Sequence, residues 1–218
     1  MRVCEQQLFL YIFPEKDRSD TADVQRAVQR TEKECGIPGI TPVIQDEDDF
    51  KQYPWDEIPE YYFEKYSRYF RALREEMPEG MKAIGGVGNG IFECVQDLTG
   101  FQGLCYIAAD DEELYHDLFK KVGETNLKIW QRFMKEFGDI YCVLRFGDDL
   151  GYKSSTMLSA DDVKKLILPQ YKPIVDLVHS YGKPFLLHSL FGWKSTGTGS
   201  EILAGQTWIW YAIAPNRN

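Results

Sequence analysis

The sequence has little positive charge, no run of basic residues and no long apolar stretch. Its 25 Lys and Arg residues are outnumbered by 34 Asp and Glu residues, which gives a formal net charge of −9. A protein with this excess of negative charge has few Lys and Arg residues to neutralise the phosphates of a nucleic acid, so a nucleic-acid partner is not expected. The apolar residues 8–13 are too few for a signal peptide, and no stretch approaches a membrane span of about 20 residues. We therefore expect a cytoplasmic protein with no membrane partner.

Closely paired cysteines are also missing. The five cysteines are odd in number and form no Cys-x-x-Cys pair. We interpret them as buried reduced thiols rather than a disulfide framework. The 218 residues include 44% hydrophobic and 14% aromatic residues, which is enough for one domain with a substantial core.

Four helices are predicted along the chain. Residues 21–35 are rich in helix formers and stop at Gly36, and residues 59–77 carry an aromatic stripe before Pro78. A long helix is predicted over residues 111–137, with Asp110 as its N-cap. The apolar residues of that helix should form its buried face: Leu114, Leu118, Val122, Ile129, Phe133 and Phe137.

The fourth helix is predicted from a capping pattern. Ser159 and Asp162 resemble a capping box that opens a helix, which then runs to about Tyr181. Pro169 and Pro173 fall inside it, so we expect a kink or a break there.

Three short apolar runs alternate with the later helices. They cover residues 82–87, 140–146 and 183–189 and are predicted to be strands. Strands separated by helices imply right-handed crossovers and a parallel sheet. The glycines at 85, 86 and 88 lack the spacing of a dinucleotide fingerprint, which makes a nucleotide-binding fold the weaker choice.

Each predicted strand ends in a polar cluster, as a (β/α) barrel requires when its site is built at the carboxyl ends of the strands. A complete barrel takes about 250 residues and eight strands. We therefore predict an α/β fold of the TIM-barrel (β/α)8 type, truncated after three to four strands. Residues 1–80 would be an N-terminal helical and loop region of the same domain, residues 81–189 the partial barrel, and residues 190–218 an atypical tail.

Acidic residues follow the second strand directly. Asp148 and Asp149 are catalytic candidates, because a carboxylate pair at a strand end can split its pKa values between a proton donor and an ionised group. The alternative is a helix cap or a solvated turn. The candidates for substrate binding are the polar residues near these strand ends, Asn89, Glu93, Tyr152 and Lys153, and the first two also suit helix capping.

The third strand closes on His188, a natural position for a metal ligand or an acid–base group. A neutral imidazole can bind zinc, which needs further thiolate, imidazole or carboxylate ligands. No cysteine lies beyond Cys142. A histidine on an apolar strand is also often a structural group, so both interpretations stay open.

Four blocks of sequence carry a resemblance to a known family. They are residues 145–153, 158–162, 167–172 and 179–189, which read RFGDDLGYK, LSADD, ILPQYK and HSYGKPFLLHS. Together they resemble the uroporphyrinogen decarboxylase superfamily over residues 37–189. The more similar branch is the bacterial one that includes corrinoid-dependent methyltransferases.

This resemblance implies a TIM barrel with a zinc site that begins at a strand-end His-x-Cys motif and is completed by a much later cysteine. The zinc would hold a small thiol substrate as a thiolate for methyl transfer to or from a corrinoid, either free or on a partner protein. His188 matches the first ligand, but Leu190 stands at the cysteine position. The resemblance thus implies a methyltransferase that is impaired in this form. The resemblance also implies acidic site residues at the end of the second predicted strand, where Asp148 and Asp149 lie.

Two alternatives remain. Decarboxylases of the same superfamily bind an acidic tetrapyrrole through an Arg-Gln-Ala-Gly-Arg motif, which is missing from residues 1–80. The other alternative starts from residues 190–218, which do not resemble the family's continuation. A shift of reading frame would turn the Leu190–Phe191 codons into a cysteine and restore His-x-Cys. A genuine tail, rich in Trp, would instead cover the sheet edge or pair with another copy, giving a non-catalytic fragment that forms a homo-oligomer.

Overall fold

The computed structural model describes residues 42–152, 155–189 and 209–213. The predicted helix at residues 21–35 lies outside these ranges. The helices are α1 (Glu47–Gln52), α2 (Ile58–Glu76), α3 (Ile91–Thr99), α4 (Phe101–Asp110), α5 (Glu112–Phe137), α6 (Ala160–Asp162) and α7 (Leu168–Ser180). The strands are β1 (Ala83–Asn89), β2 (Tyr141–Gly147), β3 (Gly151–Tyr152), β4 (Ser155–Thr156), β5 (Phe185–Ser189) and β6 (Ile209–Ile213).

The main sheet has the order β1-β2-β5-β6. Strands β1, β2 and β5 are parallel, which confirms the predicted parallel sheet. Gly147 pairs with Asn89 on one side and with His188 on the other. The carboxyl ends of the three parallel strands therefore lie side by side. This helix-rich α/β arrangement is consistent with part of a TIM barrel.

Strand β6 comes from the Trp-rich tail and pairs with β5 in the antiparallel direction, from Phe185 opposite Ile213 to Ser189 opposite Ile209. Such pairing is expected if residues 190–218 cover the edge of the sheet. A paired edge presents fewer unpaired backbone groups to other chains.

The core lies between the sheet and the helices α2, α5 and α7. The Trp130 ring on α5 is fully buried and contacts the rings of Phe133, Phe146 and Phe185. All six residues predicted to form the buried face of α5 are buried. The aromatic stripe of α2 is buried as well, so the periodic patterns found the core correctly. None of the described helices is long and apolar enough to cross a membrane.

Two predictions about local structure were wrong. The N-cap of α5 is Asp111, whose carboxylate accepts a hydrogen bond from Leu114 N at 3.0 Å, because Asp110 is the last residue of α4. The cysteines are not uniformly buried either: Cys105 and Cys142 are exposed and Cys94 is half-buried.

The proline-containing helix breaks just before Pro169, whereas it continues without a break through Pro173. Ser159 Oγ accepts from Asp162 N at 3.0 Å and caps α6. A π-helical turn at Val163–Ile167 then separates α6 from α7. Pro169 lies in the first turn of α7, where its missing N–H costs little, while Pro173 lies inside the helix.

Candidate active site at the carboxyl ends of the strands

Backbone hydrogen bonds join the segments that follow β1, β2 and β5. Gly90 N donates to Gly147 O at 2.5 Å, and Asp148 N donates to His188 O at 2.9 Å. Asp148, His188 and the start of α3, which carries Glu93, are thus brought to one edge of the sheet. This is the edge at which barrel enzymes build their active sites.

Asp148 is fully buried and accepts hydrogen bonds from three donors. Its two carboxylate oxygens accept from Phe92 N and Glu93 N, both at 2.9 Å, and the Tyr171 hydroxyl also donates to it. The N-cap of α3 is Gly90, which has no side chain to cap the helix. Asp148 therefore caps α3 from the neighbouring strand, where the positive end of the helix dipole favours a carboxylate.

Gly90 is required by this arrangement. A Cβ atom at position 90 would lie 2.3 Å from Asp148 Cβ and 2.5 Å from Asp148 Oδ2. Only glycine lets the start of α3 approach the carboxylate this closely. Sequence patterns identified neither Gly90 nor Tyr171 as site residues. A glycine at the N-cap of a strand-end helix is a local signal, whereas Tyr171 lies on α7 and has none.

Asp148 and Glu93 have different protonation states. Burial raises the pKa of Asp148 to about 6, although the hydrogen bonds from Tyr171 and from the α3 backbone lower it. Burial raises the pKa of Glu93 further, to about 8, and the negative charges of Asp148 and Asp149 add to this effect. At neutral pH the Asp148 carboxyl is therefore ionised and the Glu93 carboxyl is protonated.

The raised pKa values of Asp148 and Glu93 belong to residues that follow different strands, so residue spacing did not connect them. Glu93 Oε2 is buried and has no hydrogen-bond partner within the described ranges. A protonated carboxyl with one oxygen that has no partner within the described ranges can donate a proton to a bound molecule. The catalytic role of Asp148 and the binding role of Glu93 stay predictions.

Asp149 is half-buried and lies near His188. Consecutive residues of an extended chain point to opposite sides, and Asp148 points to Tyr171 on the helix layer. The Asp149 charge acts on His188 instead, and its backbone N–H is hydrogen-bonded to Glu93. Of the remaining binding candidates, Asn89 ends β1 and Tyr152 ends β3, while Lys153 lies outside the described residues.

His188 is 7% exposed. Burial lowers its pKa, the positive charge of Arg145 lowers it further, and Asp149 opposes both effects. The imidazole is therefore neutral near pH 7, which is the form that binds a metal. However, the described ranges contain no group of three or more His, Cys, Asp or Glu side chains that can hold a metal ion. On their own these residues do not fit zinc.

Comparison with known families decides the relationship of this chain. The family model described as Uroporphyrinogen decarboxylase (URO-D) matches residues 27–197, a span that contains α1 to β5. The chain belongs to the uroporphyrinogen decarboxylase family. The match includes the resemblance noted over residues 37–189 and confirms it at the level of the family. No curated protein and no solved structure gives a significant match.

Glu93→Gln is expected to change how the stability of this family member depends on pH. The folded protein keeps the Glu93 proton up to about pH 8, whereas the unfolded chain loses it near the ordinary pKa of 4.5. Between these values the unfolded state binds fewer protons, so the free energy of unfolding of the wild type falls as the pH rises. Glutamine has no such proton, so the variant should lose less stability across this window.

Urea unfolding at the two ends of the window measures this difference. Glu112→Gln is the matched control, since the Glu112 side chain is 86% exposed on α5. The control should follow the wild type. Identical pH dependence in Glu93→Gln and the wild type would contradict the assignment of a protonated Glu93.

Proposed function

We propose that this chain derives from the methyltransferase branch of the family, whose members move a methyl group between a corrinoid and a thiol, and that its metal site is incomplete in this form. His188 carries the proposal. It closes β5 at the carboxyl edge of the sheet, is buried, and has a lowered pKa that keeps its imidazole neutral. This is the position that the resemblance assigns to the first zinc ligand.

Zinc, when bound in this branch, would keep a substrate thiol deprotonated and nucleophilic. The described residues supply His188 for it but no group of three or more ligands around it, and Leu190 follows where the motif has cysteine. The chain's own contribution is therefore the pair of carboxyls beside this position. Ionised Asp148 holds the start of α3 in place, and protonated Glu93 faces the edge as a proton donor.

Decarboxylation of a tetrapyrrole is the second candidate, and Glu93 is the observation that favours it. Loss of carbon dioxide leaves a carbanion that must take up a proton, and a carboxyl with a pKa of about 8 is protonated at neutral pH. Asp148 and Asp149 lie beside Glu93, however, and their charges would repel an acidic substrate. Methyl transfer therefore remains the first candidate.

Leu190→Cys is expected to increase zinc binding, because it adds a soft thiolate two residues after His188. After purification and dialysis, elemental analysis should find well below one zinc per wild-type chain and clearly more in the variant. Leu190→Ser is the matched control, since serine has nearly the same shape without a thiolate. The proposal of an incomplete site fails if the wild type holds one zinc per chain and His188→Ala removes it.

An activity assay then separates the candidate functions. The Leu190→Cys variant is incubated with methylcobalamin, zinc and a small thiol, and loss of the cobalt–methyl bond is followed by absorbance. Thiol-dependent demethylation that is lost on His188→Ala supports the first candidate. Release of carbon dioxide from uroporphyrinogen that is lost on Glu93→Gln supports the second. If neither reaction occurs and light scattering shows a dimer, the self-association alternative is favoured.

A further inference from the structure

Helix α4 has an unusually apolar exposed side. Phe101 is 38% exposed, Tyr106 is 61% exposed and Cys105 is exposed as well, while the exposed Gln102 donates a hydrogen bond to the Tyr106 hydroxyl. Asp110 is the only charged residue in this helix of 10 residues. By contrast, the exposed positions of α5 are almost all charged or polar, such as Glu112, Lys120 and Glu124. A surface helix normally has the second pattern, so the side of α4 formed by Phe101, Cys105 and Tyr106 is suited to a covering segment.

The first described residues of the chain lie next to this helix. Val43 N and Ile44 N donate to Leu98 O at 2.8 and 3.1 Å. Pro42 Cγ lies 3.2 Å from the position that a Cβ of Gly100 would take, and Gly100 is the residue directly before α4. The residues before Pro42 therefore connect to the described fold at the N-terminal end of α4.

Residues 21–35 have a sequence that suits this surface. If they form the predicted helix, their apolar side is one stripe with helical spacing: Val24, Ala27, Val28, Thr31 and Cys35. The six residues 36–41 span at most about 20 Å when extended, and α4 is about 15 Å long, so the stripe can reach the exposed side of α4. The family match begins at residue 27, which places the second half of this segment in the same domain as α4.

We propose that the exposed side of α4 formed by Phe101, Cys105 and Tyr106 is the docking surface for residues 21–35 of the same chain. Val24 and Val28 would lie on these side chains and remove them from water. The short connection to Pro42 favours this segment over a second copy of the chain, because docking within one chain needs no association in solution.

The reaction of Cys105 with iodoacetamide tests this docking in the full chain. Mass spectrometry of the Cys105 peptide gives its rate apart from the other cysteines. Replacing Val24 and Val28 together by Asn should raise the rate several-fold, because a polar stripe no longer covers the thiol. Replacing Gln25 and Gln29 together by Asn is the matched control, since it introduces the same residues on the other side of the predicted helix. The control should keep the wild-type rate, and circular dichroism verifies that both variants are folded.

Three results would overturn the proposal. The first is an equal Cys105 rate in the wild type and in the valine variant. The second is a wild-type rate as fast as that of glutathione, which would show that the surface is uncovered. The third is a rate that falls with protein concentration and ignores the valine substitutions, which would assign the surface to a second copy.

Discussion

Asp148→Ala is expected to lower the free energy of unfolding by about 3 kcal/mol, because it removes a buried acceptor shared by three donors. Phe92 N, Glu93 N and the Tyr171 hydroxyl all lose their partner, and α3 loses its only side-chain cap. These donors would remain removed from water without a hydrogen bond in the protein, which costs free energy. Urea unfolding at neutral pH measures the loss.

Asp149→Ala is the control for this prediction. Asp149 is adjacent in sequence and also acidic, but it is only half-buried, and Phe92 N and Glu93 N donate to Asp148. Its replacement should cost less than about 1 kcal/mol. Asp148→Asn should fall between the two, because the amide oxygen can still accept one hydrogen bond while its NH2 group opposes a donor. Equal losses for Asp148→Ala and Asp149→Ala would show that Asp148 does not hold the site together.

Gly90→Ala should also destabilise the fold by about 3 kcal/mol, at the upper end of the usual cost of overpacking. The added methyl group would lie 2.3 Å from Asp148 Cβ, which is fixed to the backbone and cannot rotate away. Either the start of α3 or the segment after β2 must move. Both movements lengthen the hydrogen bonds that Asp148 accepts from α3, so the variant should lose the cap as well as the packing.

Gly147→Ala is the matched control, because Gly147 ends the neighbouring strand and a Cβ there meets no atom within 4 Å. Thermal and urea unfolding of the two variants give the comparison. Gly147→Ala should remain close to the wild type. A Gly90→Ala variant as stable as Gly147→Ala would show that α3 and Asp148 do not approach each other as closely as described.

Several features of the fold could be predicted because they depend on local spacing. The stripe of α5, from Leu114 to Phe137, identifies a buried helix face wherever the helix lies. The apolar run of β2 likewise predicted a strand from local spacing. Asp148 was chosen as a candidate because it follows the end of that strand. The exposure of Cys105 and Cys142 could not be found by such reasoning, because a cysteine carries no periodic signal of its own.

The candidate site joins residues that residue spacing does not connect. Asp148 follows β2, Glu93 lies in the helix after β1, and His188 lies in β5, so only the parallel register brings them together. Glu93 seemed a binding or capping residue, and Asp149 seemed the partner of Asp148. Burial and the nearby charges raise the pKa of Glu93 to about 8, and residue spacing could not show this because these effects depend on distances in three dimensions.

By itself, the sequence determined the alternation of strands and helices, the core faces and the family, since these follow from residue spacing and from blocks of adjacent residues. Only the tertiary structure decided that Asp148 caps a helix after another strand, that Tyr171 donates to it, and that Glu93 keeps its proton. The physical reason is that hydrogen bonding and desolvation act over a few ångströms between residues that are far apart along the chain: Tyr171 lies 23 positions from Asp148, and Phe92 lies 56.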